Sequence, residues 1–122
     1  MRAVRVLLVD DEPELLEPLA ARLERRGFAC TKAESAEDAL RLLGGQSFDC
    51  AVVDIIMPGR SGLDLLRCMR QEWPAIPVVL MTGHGAAELP DDGISLGAAE
   101  CLHKPVALDE LVTCVERVTC RS

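Results

Sequence analysis

The sequence predicts an α/β domain in which a parallel five-stranded sheet lies between two layers of helices. Short runs rich in Val, Leu and Ile alternate with segments whose apolar residues recur at helical spacing. The runs are continuously apolar, which is typical of strands covered on both faces by helices. Because the chain has 122 residues and no visible repeat, linker or change in composition, we predict a single domain over residues 1–122.

Five apolar segments predict the strands of this sheet. Residues 4–9, 50–53 and 77–81 give the clearest signals, since aliphatic side chains dominate each of them. Residues 28–31 and 100–103 are weaker runs that would supply the second and the fifth strand.

Apolar residues at i, i+3, i+4 and i+7 predict helices between the strands. Pro13 suits the first position of a helix, Gly27 would end that helix, and "SAED" (35–38) is a capping box for the next one. Gly44 and Gly45 would close the second helix. The apolar positions are Leu16, Leu19, Ala20 and Leu23 in the first helix, Ala36, Ala39, Leu40 and Leu43 in the second, Leu65, Leu66, Met69 and Trp73 in the third, and Leu108, Leu111, Val112 and Val115 in the last.

Two parts of the sequence depart from the helical pattern. Pro18 falls inside the first helix, where it removes a hydrogen bond to Glu14 and should kink or delay the helix. The segment "GAAELPDDGISLG" (85–97) contains one Pro and three Gly without an apolar stripe. For this segment we predict a loop over residues 83–89 and a fourth helix that starts late, with Pro90 in its first turn and Asp91 and Asp92 at the end that the helix dipole favours.

Charge and cysteine content exclude several classes of function. A net charge of −7 argues against direct binding of nucleic acid, which requires clustered Lys and Arg. Only four apolar residues separate Arg5 from Asp10, too few for a signal peptide, and no run is long enough to span a membrane. The six Cys form no C-x-x-C pair and only two His are present, which argues against zinc. We therefore expect reduced thiols in a cytoplasmic protein.

Polar residues follow four of the predicted strands at the point where each strand ends. Asp10 and Asp11 follow the first strand, Asp54 the third, Thr82 the fourth and Lys104 the fifth. Singly, each has an ordinary explanation: a helix cap, a turn residue, a strand-end hydroxyl or a solvated charge. Because the carboxyl ends of parallel strands meet at one edge of the sheet, their shared position favours a common site.

These residue types together suit phosphoryl transfer. Three carboxylates within a few ångström repel one another, and Mg²⁺, which binds carboxylate, carbonyl, water and phosphate oxygens, would relieve that repulsion. A backbone carbonyl just past Asp54 could add a further ligand. Lys104 would bring a second positive charge and Thr82 a hydroxyl donor, so that Asp54 could act as a nucleophile and form an acyl phosphate.

Four motifs occur in order along the chain: "VLLVDDE" (6–12), "VVDIIMPGRSG" (52–62), "VVLMTGHG" (78–85) and "HKP" (103–105). Together they resemble the receiver domain of two-component response regulators, and the resemblance covers essentially the whole chain. It implies a flavodoxin-like (βα)5 sandwich of three layers with strand order 2-1-3-4-5. It also implies a cis peptide bond between Lys104 and Pro105.

The resemblance further implies the role of each site residue. Asp54 would accept a phosphoryl group from a phosphohistidine on a sensor histidine kinase or phosphotransfer domain. Mg²⁺ would be bound by Asp11, Asp54 and the main-chain carbonyl of Ile56, with Asp10 reaching it through water. Thr82 and Lys104 would hold phosphoryl oxygens. "MTGHG" (81–85) is similar to receivers that precede transcriptional output domains and to those of hybrid kinases.

One departure from the family concerns how phosphorylation is reported. Receivers commonly carry Tyr or Phe three residues before the lysine, whereas this chain has Cys101. We therefore expect phosphorylation to reorder residues 83–97 more than it moves the side chain at position 101. Ile56 and His84 flank the expected route of attacking water, and because the apolar Ile56 cannot orient water, self-dephosphorylation should be slow.

Three alternatives to a phosphorylated signalling module remain to be weighed. An Asp-dependent phosphohydrolase would want a second acid in a D-x-D motif, where this chain has Ile56. A degenerate receiver that only binds partners does not need all five polar residues. A nucleotide-binding fold would want G-x-G-x-x-G where "DDEPE" (10–14) stands. We expect no turnover of an external substrate, only self-phosphorylation and self-dephosphorylation.

The sequence leaves the wider assembly open. The chain could be a stand-alone receiver or part of a longer protein with an output domain. A homodimer through the face formed by the predicted fourth helix, the fifth strand and the last helix is a further option, although the irregular fourth helix weakens it.

Overall fold

A computed structural model describes residues 3–55, 57, 61–83 and 97–119 of the chain. The described strands form one parallel sheet of five in the order β2-β1-β3-β4-β5, so that the predicted α/β fold and strand order are confirmed. The elements are β1 Arg5–Val9, α1 Pro13–Arg25, β2 Ala29–Ala33, α2 Ala36–Gly45, β3 Cys50–Asp54, α3 Gly62–Glu72, β4 Val78–Thr82, β5 Glu100–His103 and α4 Leu108–Thr119.

The core consists of two apolar layers, one on each face of the sheet. Because side chains alternate along a strand, Leu7 and Val9 of β1 face one layer while Val6 and Leu8 face the other. Helices α2 and α3 cover the first layer, and α1 and α4 cover the second. All five residues of β3 and all five of β4 are buried, as expected for central parallel strands.

The register of the sheet aligns the carboxyl ends of its central strands. Val9 of β1 pairs with Val53 of β3, and Asp54 pairs with Met81 of β4. From β1 the chain continues to β2, which pairs with one edge of β1, whereas β3 pairs with the other edge of β1. The residues that follow β1 and β3 therefore meet at the crevice where the strand order reverses.

Pro18 was predicted either to delay or to kink the first helix, and the structure of α1 contradicts the delay. Pro18 does not delay the helix, which already begins at Pro13 and continues to Arg25. In the first turn, the backbone N–H groups of Leu15 and Leu16 donate to the carbonyl of Glu12. These hydrogen bonds precede position 18, where proline has no N–H to donate. The predicted end of this helix is confirmed by Gly27, whose φ of 96° suits glycine.

The predicted cap of α2 is only half correct. The Ser35 hydroxyl accepts a hydrogen bond from the backbone N–H of Asp38 at 3.0 Å. The Asp38 carboxylate, however, accepts from the backbone of Glu34 rather than from that of Ser35, and it also pairs with Arg41. A reciprocal capping box that the sequence reasoning did not identify is present instead at Ser61–Asp64, at the start of α3.

Several expectations fall outside the described residues. They include the loop over 83–89 beyond Gly83 and the late-starting fourth helix with Pro90 in its first turn. Within the described ranges, no helix combines the length and apolar character that crossing a membrane would need. Cys30, Cys50 and Cys114 are free thiols.

Candidate functional site

Three aspartates converge at the carboxyl edge of β1 and β3. Asp10, Asp11 and Asp54 each place a carboxylate oxygen within 4.8 Å of the others. Asp10 and Asp54 are almost completely buried, with exposures of 3% and 5%, whereas Asp11 is half-buried. Ionised carboxylates in such positions require compensating partners.

Lys104 supplies one of those partners. Its Nζ lies 3.2 Å from Oδ2 of Asp10 and 3.3 Å from Oδ2 of Asp54. The backbone N–H of Lys104 donates to the carbonyl of Thr82 at 2.7 Å, and the bond to Pro105 is cis, as predicted. Partial burial lowers the pKa of Lys104, but the charges of Asp54 and Asp10 outweigh burial, so that the net pKa is raised. The ammonium is therefore charged at neutral pH.

Asp10 is fixed by both oxygens of its carboxylate. Oδ1 accepts a hydrogen bond from the backbone N–H of Glu12 at 3.0 Å, while Oδ2 contacts Lys104. The backbone N–H of Asp10 donates to the carbonyl of Ala33 at 3.1 Å, which extends the pairing of β1 with β2. Asp10 is thus a rigid part of the site.

Thr82 lies at the same edge of the sheet, at the end of β4. It follows Met81, which pairs with Asp54, and its side chain is fully buried. Its hydroxyl contacts the carbonyl of Gly83 at 3.5 Å, which is long for an O–H donor. Such a weak hydrogen bond leaves the hydroxyl available for a stronger acceptor.

Gly62 is a site residue that the sequence reasoning missed. A Cβ at this position would overlap the main-chain carbonyl oxygen of Asp54 and lie 2.7 Å from Cα of Ile55. Its N–H donates to the carbonyl of Ile55 at 2.8 Å, which holds the start of α3 beneath β3. The S-x-x-D spacing of Ser61 and Asp64 signals the helix start in the sequence, but the close backbone approach has no sequence signal.

The structure thus brings together every predicted site residue that it describes: Asp10, Asp11, Asp54, Thr82 and Lys104. Ile56, whose carbonyl was predicted as a metal ligand, lies outside the described residues, as does His84. Cys101 is half-buried and packs against the core layer covered by α2 and α3.

A groove opens next to the cluster, between α1 and the segment after β5. Its volume is about 490 Å³, and Asp10 and Lys104 form part of its lining. Leu15 lies in its wall with 47% of its surface exposed. The sequence carried a signal for this feature, because Leu15 falls outside the apolar stripe of the first helix.

The donor set fits a hard divalent cation. The three acids offer carboxylate oxygens, the ligands that such ions prefer, within one small volume. Three carboxylates against the single ammonium of Lys104 leave this group of side chains with excess negative charge, which a divalent ion would balance. The cluster can therefore hold a metal ion.

Comparison with known proteins identifies the family. The family model described as response regulator receiver domain matches residues 6–116. The chain belongs to the receiver domain family of response regulators. Receiver domains are parts of two-component signalling systems, and the deduced site lies within the matched residues.

Named relatives of this receiver domain are transcriptional regulators. The chain is 35% identical over 111 residues to the transcriptional regulatory protein FixJ of Bradyrhizobium diazoefficiens, which covers 91% of the chain and 54% of FixJ. It is 42% identical to the transcriptional activator protein PfeR of Pseudomonas aeruginosa, covering 88% of the chain and 35% of PfeR. The receiver domain therefore spans about half or less of the length of these relatives.

Solved receiver structures share the fold over the whole domain. The receiver domain of NtrX from Brucella abortus is 31% identical with a TM-score of 0.91, covering 96% of this chain and 99% of that one. The FixJ-N structure is 30% identical with a TM-score of 0.90, covering 100% and 98% of the two chains.

Proposed function

We propose that this receiver domain accepts a phosphoryl group on Asp54 from a phosphohistidine of a sensor histidine kinase or a phosphotransfer domain. The observation that carries the proposal is the position of Lys104, whose ammonium contacts both Asp54 and Asp10 within the acidic cluster. This cation reduces the electrostatic repulsion that a buried carboxylate would exert on an incoming phosphoryl group.

The transfer itself exchanges one bond to phosphorus for another. A carboxylate oxygen of Asp54 bonds to phosphorus while the bond from phosphorus to the imidazole nitrogen breaks. The nitrogen keeps the electron pair, and the released imidazole takes up a proton from water. The product is an acyl phosphate on Asp54.

The remaining residues position and neutralise the phosphoryl group. Lys104 pairs with one phosphoryl oxygen, and the Thr82 hydroxyl exchanges its long hydrogen bond for another phosphoryl oxygen. Asp11 and Asp54 would hold Mg²⁺ with the Ile56 carbonyl, and Asp10 through water. When bound, Mg²⁺ supplies charge neutralisation at the phosphoryl oxygens.

We assign the domain to signalling rather than to metabolic turnover. The only reactions proposed are uptake of the phosphoryl group and its later hydrolysis, which regenerates Asp54 and inorganic phosphate. Because the relatives FixJ and PfeR are named as transcriptional regulators, the proposed consequence is control of an output domain or partner that acts on transcription. Such a protein would act in the cytoplasm, without direct contact of this acidic domain with nucleic acid.

The test is stoichiometric phosphorylation. The domain is incubated with a small phosphodonor and Mg²⁺, and its intact mass and the released phosphate are measured over time. The native domain should gain one phosphoryl group, and Asp54→Asn should gain none. Asp109→Asn, which changes an acid with an 88% exposed side chain on α4, is the matched control and should behave like the native domain.

Two other results would contradict the proposal. Continuous phosphate release without a stable adduct would indicate a phosphohydrolase. Absence of any adduct on the native domain would indicate a receiver that only binds partners.

A further inference from the structure

A second cavity lies at the opposite edge of the sheet from the acidic cluster, where the strands begin. Its volume is about 590 Å³, within the range of roughly 300–1,000 Å³ that is usual for small-molecule sites. Residues just before four of the strands line it, together with the ends of α3 and α4. Apolar side chains form much of its wall, among them Val4, Pro77 and Val118. The residues assigned to phosphoryl transfer are not part of this lining.

Arg70 brings a positive charge into this cavity without an acidic partner. It is half-buried and lies near the end of α3. None of the ion pairs formed by the described residues includes it, and its hydrogen bond from Nη1 to the carbonyl of Ile76 is long at 3.4 Å. The side chain lies against Gly97, where a Cβ would be only 3.0 Å from Nε. The guanidinium therefore has donors left for a carboxylate, which arginine can bind through two parallel hydrogen bonds.

Asp49 supplies the opposite charge in the wall of the same cavity. Its Oδ2 accepts a hydrogen bond from the backbone N–H of Arg5 at 2.9 Å and lies 3.6 Å from Nε of Arg5. Both contacts with Arg5 use Oδ2, so that Oδ1 can accept from a further donor. The side chain of Asp49 is 31% exposed. An ammonium group can therefore pair with Asp49 without displacing Arg5.

The strand register indicates how far apart the two charges lie. Ala51 of β3 pairs with Val78 of β4, so the same register, carried back two residues, aligns Asp49 with Ile76. Neighbouring strands are about 5 Å apart, and Arg70 contacts the carbonyl of Ile76. The guanidinium therefore lies roughly one strand spacing from Asp49, yet the two side chains form no ion pair within 4.0 Å. A gap of this size between opposite charges fits a small group that carries both charges itself.

We infer that this cavity binds a free α-amino acid with an apolar side chain. The carboxylate of the ligand pairs with Arg70 and its ammonium with Oδ1 of Asp49, while its side chain lies against Val4, Pro77 and Val118. Both charged groups are attached to one carbon, which matches the short separation of Arg70 and Asp49. A simple carboxylate would complement Arg70 but would face the negative charge of Asp49, so the zwitterion is preferred. The inference goes beyond the proposed function and does not depend on it.

The experiment measures binding of leucine to the native domain by isothermal titration calorimetry. Two analogues each remove one of the charges, since isocaproate lacks the ammonium of leucine and isoamylamine lacks its carboxylate. The amide NMR signals of Gly97, Ala99 and Thr119 locate the ligand, because these residues line the cavity.

Arg70→Gln and Asp49→Asn test the two charged side chains separately. Arg67→Gln is the matched control for the first variant, because Arg67 lies on the same helix, has a 61% exposed side chain and does not line the cavity. The carbonyl of the new Asn can still accept from the backbone N–H of Arg5, which preserves the local structure. Urea unfolding verifies that each variant is folded.

Leucine should bind the native domain and Arg67→Gln with a dissociation constant below about 1 mM, and it should shift the amide signals of the cavity. In Arg70→Gln the affinity should fall by about tenfold or more, because a charged hydrogen-bond partner is removed. The native domain should prefer leucine to isocaproate and to isoamylamine by about tenfold. In Asp49→Asn the preference for leucine over isocaproate should disappear.

Three results would overturn the inference. The first is absence of leucine binding to the native domain in this concentration range, and the second is native affinity for leucine in Arg70→Gln. The third is equal binding of isocaproate and leucine by the native domain, because Asp49 would then have no part in recognition. Phosphorylation of Asp54 is measured separately, so these results leave the proposed function unaffected.

Discussion

The ammonium of Lys104 lies 3.3 Å from the carboxylate of Asp54, although the two residues are 50 positions apart in the chain. Asp54 ends β3 and Lys104 follows β5, and both of these strands are neighbours of β4 in the parallel sheet. The two residues therefore lie at the same edge of the sheet, close enough for their side chains to meet. Asp10 shares the same ammonium at 3.2 Å. One cation therefore pairs with two buried acids, and we expect this arrangement to affect both the stability and the reactivity of the site.

Replacement of Lys104 by Met should lower the free energy of unfolding in the absence of divalent cations. The variant would leave Asp10 and Asp54 buried without the ammonium, at a cost of about 1–2 kcal/mol once the 25% exposure of the Lys104 side chain is considered. Urea unfolding, followed by the fluorescence of Trp73, measures the difference. Lys32→Met, which removes the exposed pair with Glu17, is the control and should cost much less than Lys104→Met, because exposed ion pairs contribute little to stability. Equal losses in both variants would contradict the role assigned to Lys104.

Mg²⁺ should stabilise the native domain and do so through Asp11. An ion that binds only the folded state adds about 2.7 kcal/mol when its concentration is a hundred times its dissociation constant. Asp11→Asn removes one of the clustered carboxylates and should weaken this stabilisation, whereas Asp109→Asn should not. The measurement is the urea midpoint as a function of added Mg²⁺, with reversal by a chelator. A Mg²⁺ response in Asp11→Asn equal to that of the native domain would exclude Asp11 as a ligand.

Residues that occupy regular positions in a repeating βα pattern could be predicted from the sequence. Asp10, Asp54 and Lys104 each follow an apolar run, and parallel strands align such positions at one edge of the sheet. The periodicity that revealed the helices likewise depends on local spacing. The fold and the described part of the site were predictable for this reason.

Features that depend on the distance between separate segments could not be predicted in this way. The contact of Gly62 with the main chain of Asp54 depends on how closely α3 approaches β3, which no local pattern encodes. The same applies to the carboxylate of Asp38, which bonds to the backbone of Glu34 although the capping pattern predicts Ser35. The reordering of residues 83–97 and slow self-dephosphorylation past Ile56 stay predictions.

Replacement of Gly62 by Ala should disrupt both the fold and the phosphorylation of Asp54. The new methyl group would overlap the main chain at Asp54 and Ile55, so that β3 and α3 would have to separate. Overpacking of this kind costs about 2–3 kcal/mol, and the displaced Asp54 should accept phosphate more slowly. Gly44→Ala is the matched control, because a Cβ there meets nothing within 4 Å. That variant should be stabilised by about 0.5–1 kcal/mol, since Ala is favoured in a helix.

Urea unfolding and the initial rate of phosphorylation distinguish the two glycine variants. If Gly62→Ala retains native stability and the native rate, the backbones are farther apart than the structure indicates. A loss of stability in both variants would instead mean that the effect is not specific to the contact with Asp54.

The free energy of unfolding should fall as the pH rises above about 9, because buried thiols resist ionisation. Burial raises the pKa of Cys50 and of Cys30 from 9.0 to about 12, and that of Cys114 to about 11. In the unfolded chain these thiols lose their protons near pH 9, so the unfolded state binds fewer protons than the folded state and gains stability with rising pH. The chain contains no Tyr, which removes one other group that titrates in this range.

Deprotonation of Lys104 lowers the free energy of unfolding further, but only at higher pH. Its pKa is raised above 10.5 in the folded state, so its contribution is fully present below that value and is lost as the pH rises through the folded pKa. The window between about pH 9 and pH 10 therefore isolates the thiols. Urea unfolding of the native domain and of Cys30→Ala across this window measures the slope. The slope should be smaller in Cys30→Ala, whose side chain is only half-buried and therefore replaceable, and an unchanged slope would show that ionisation of this thiol is not coupled to folding.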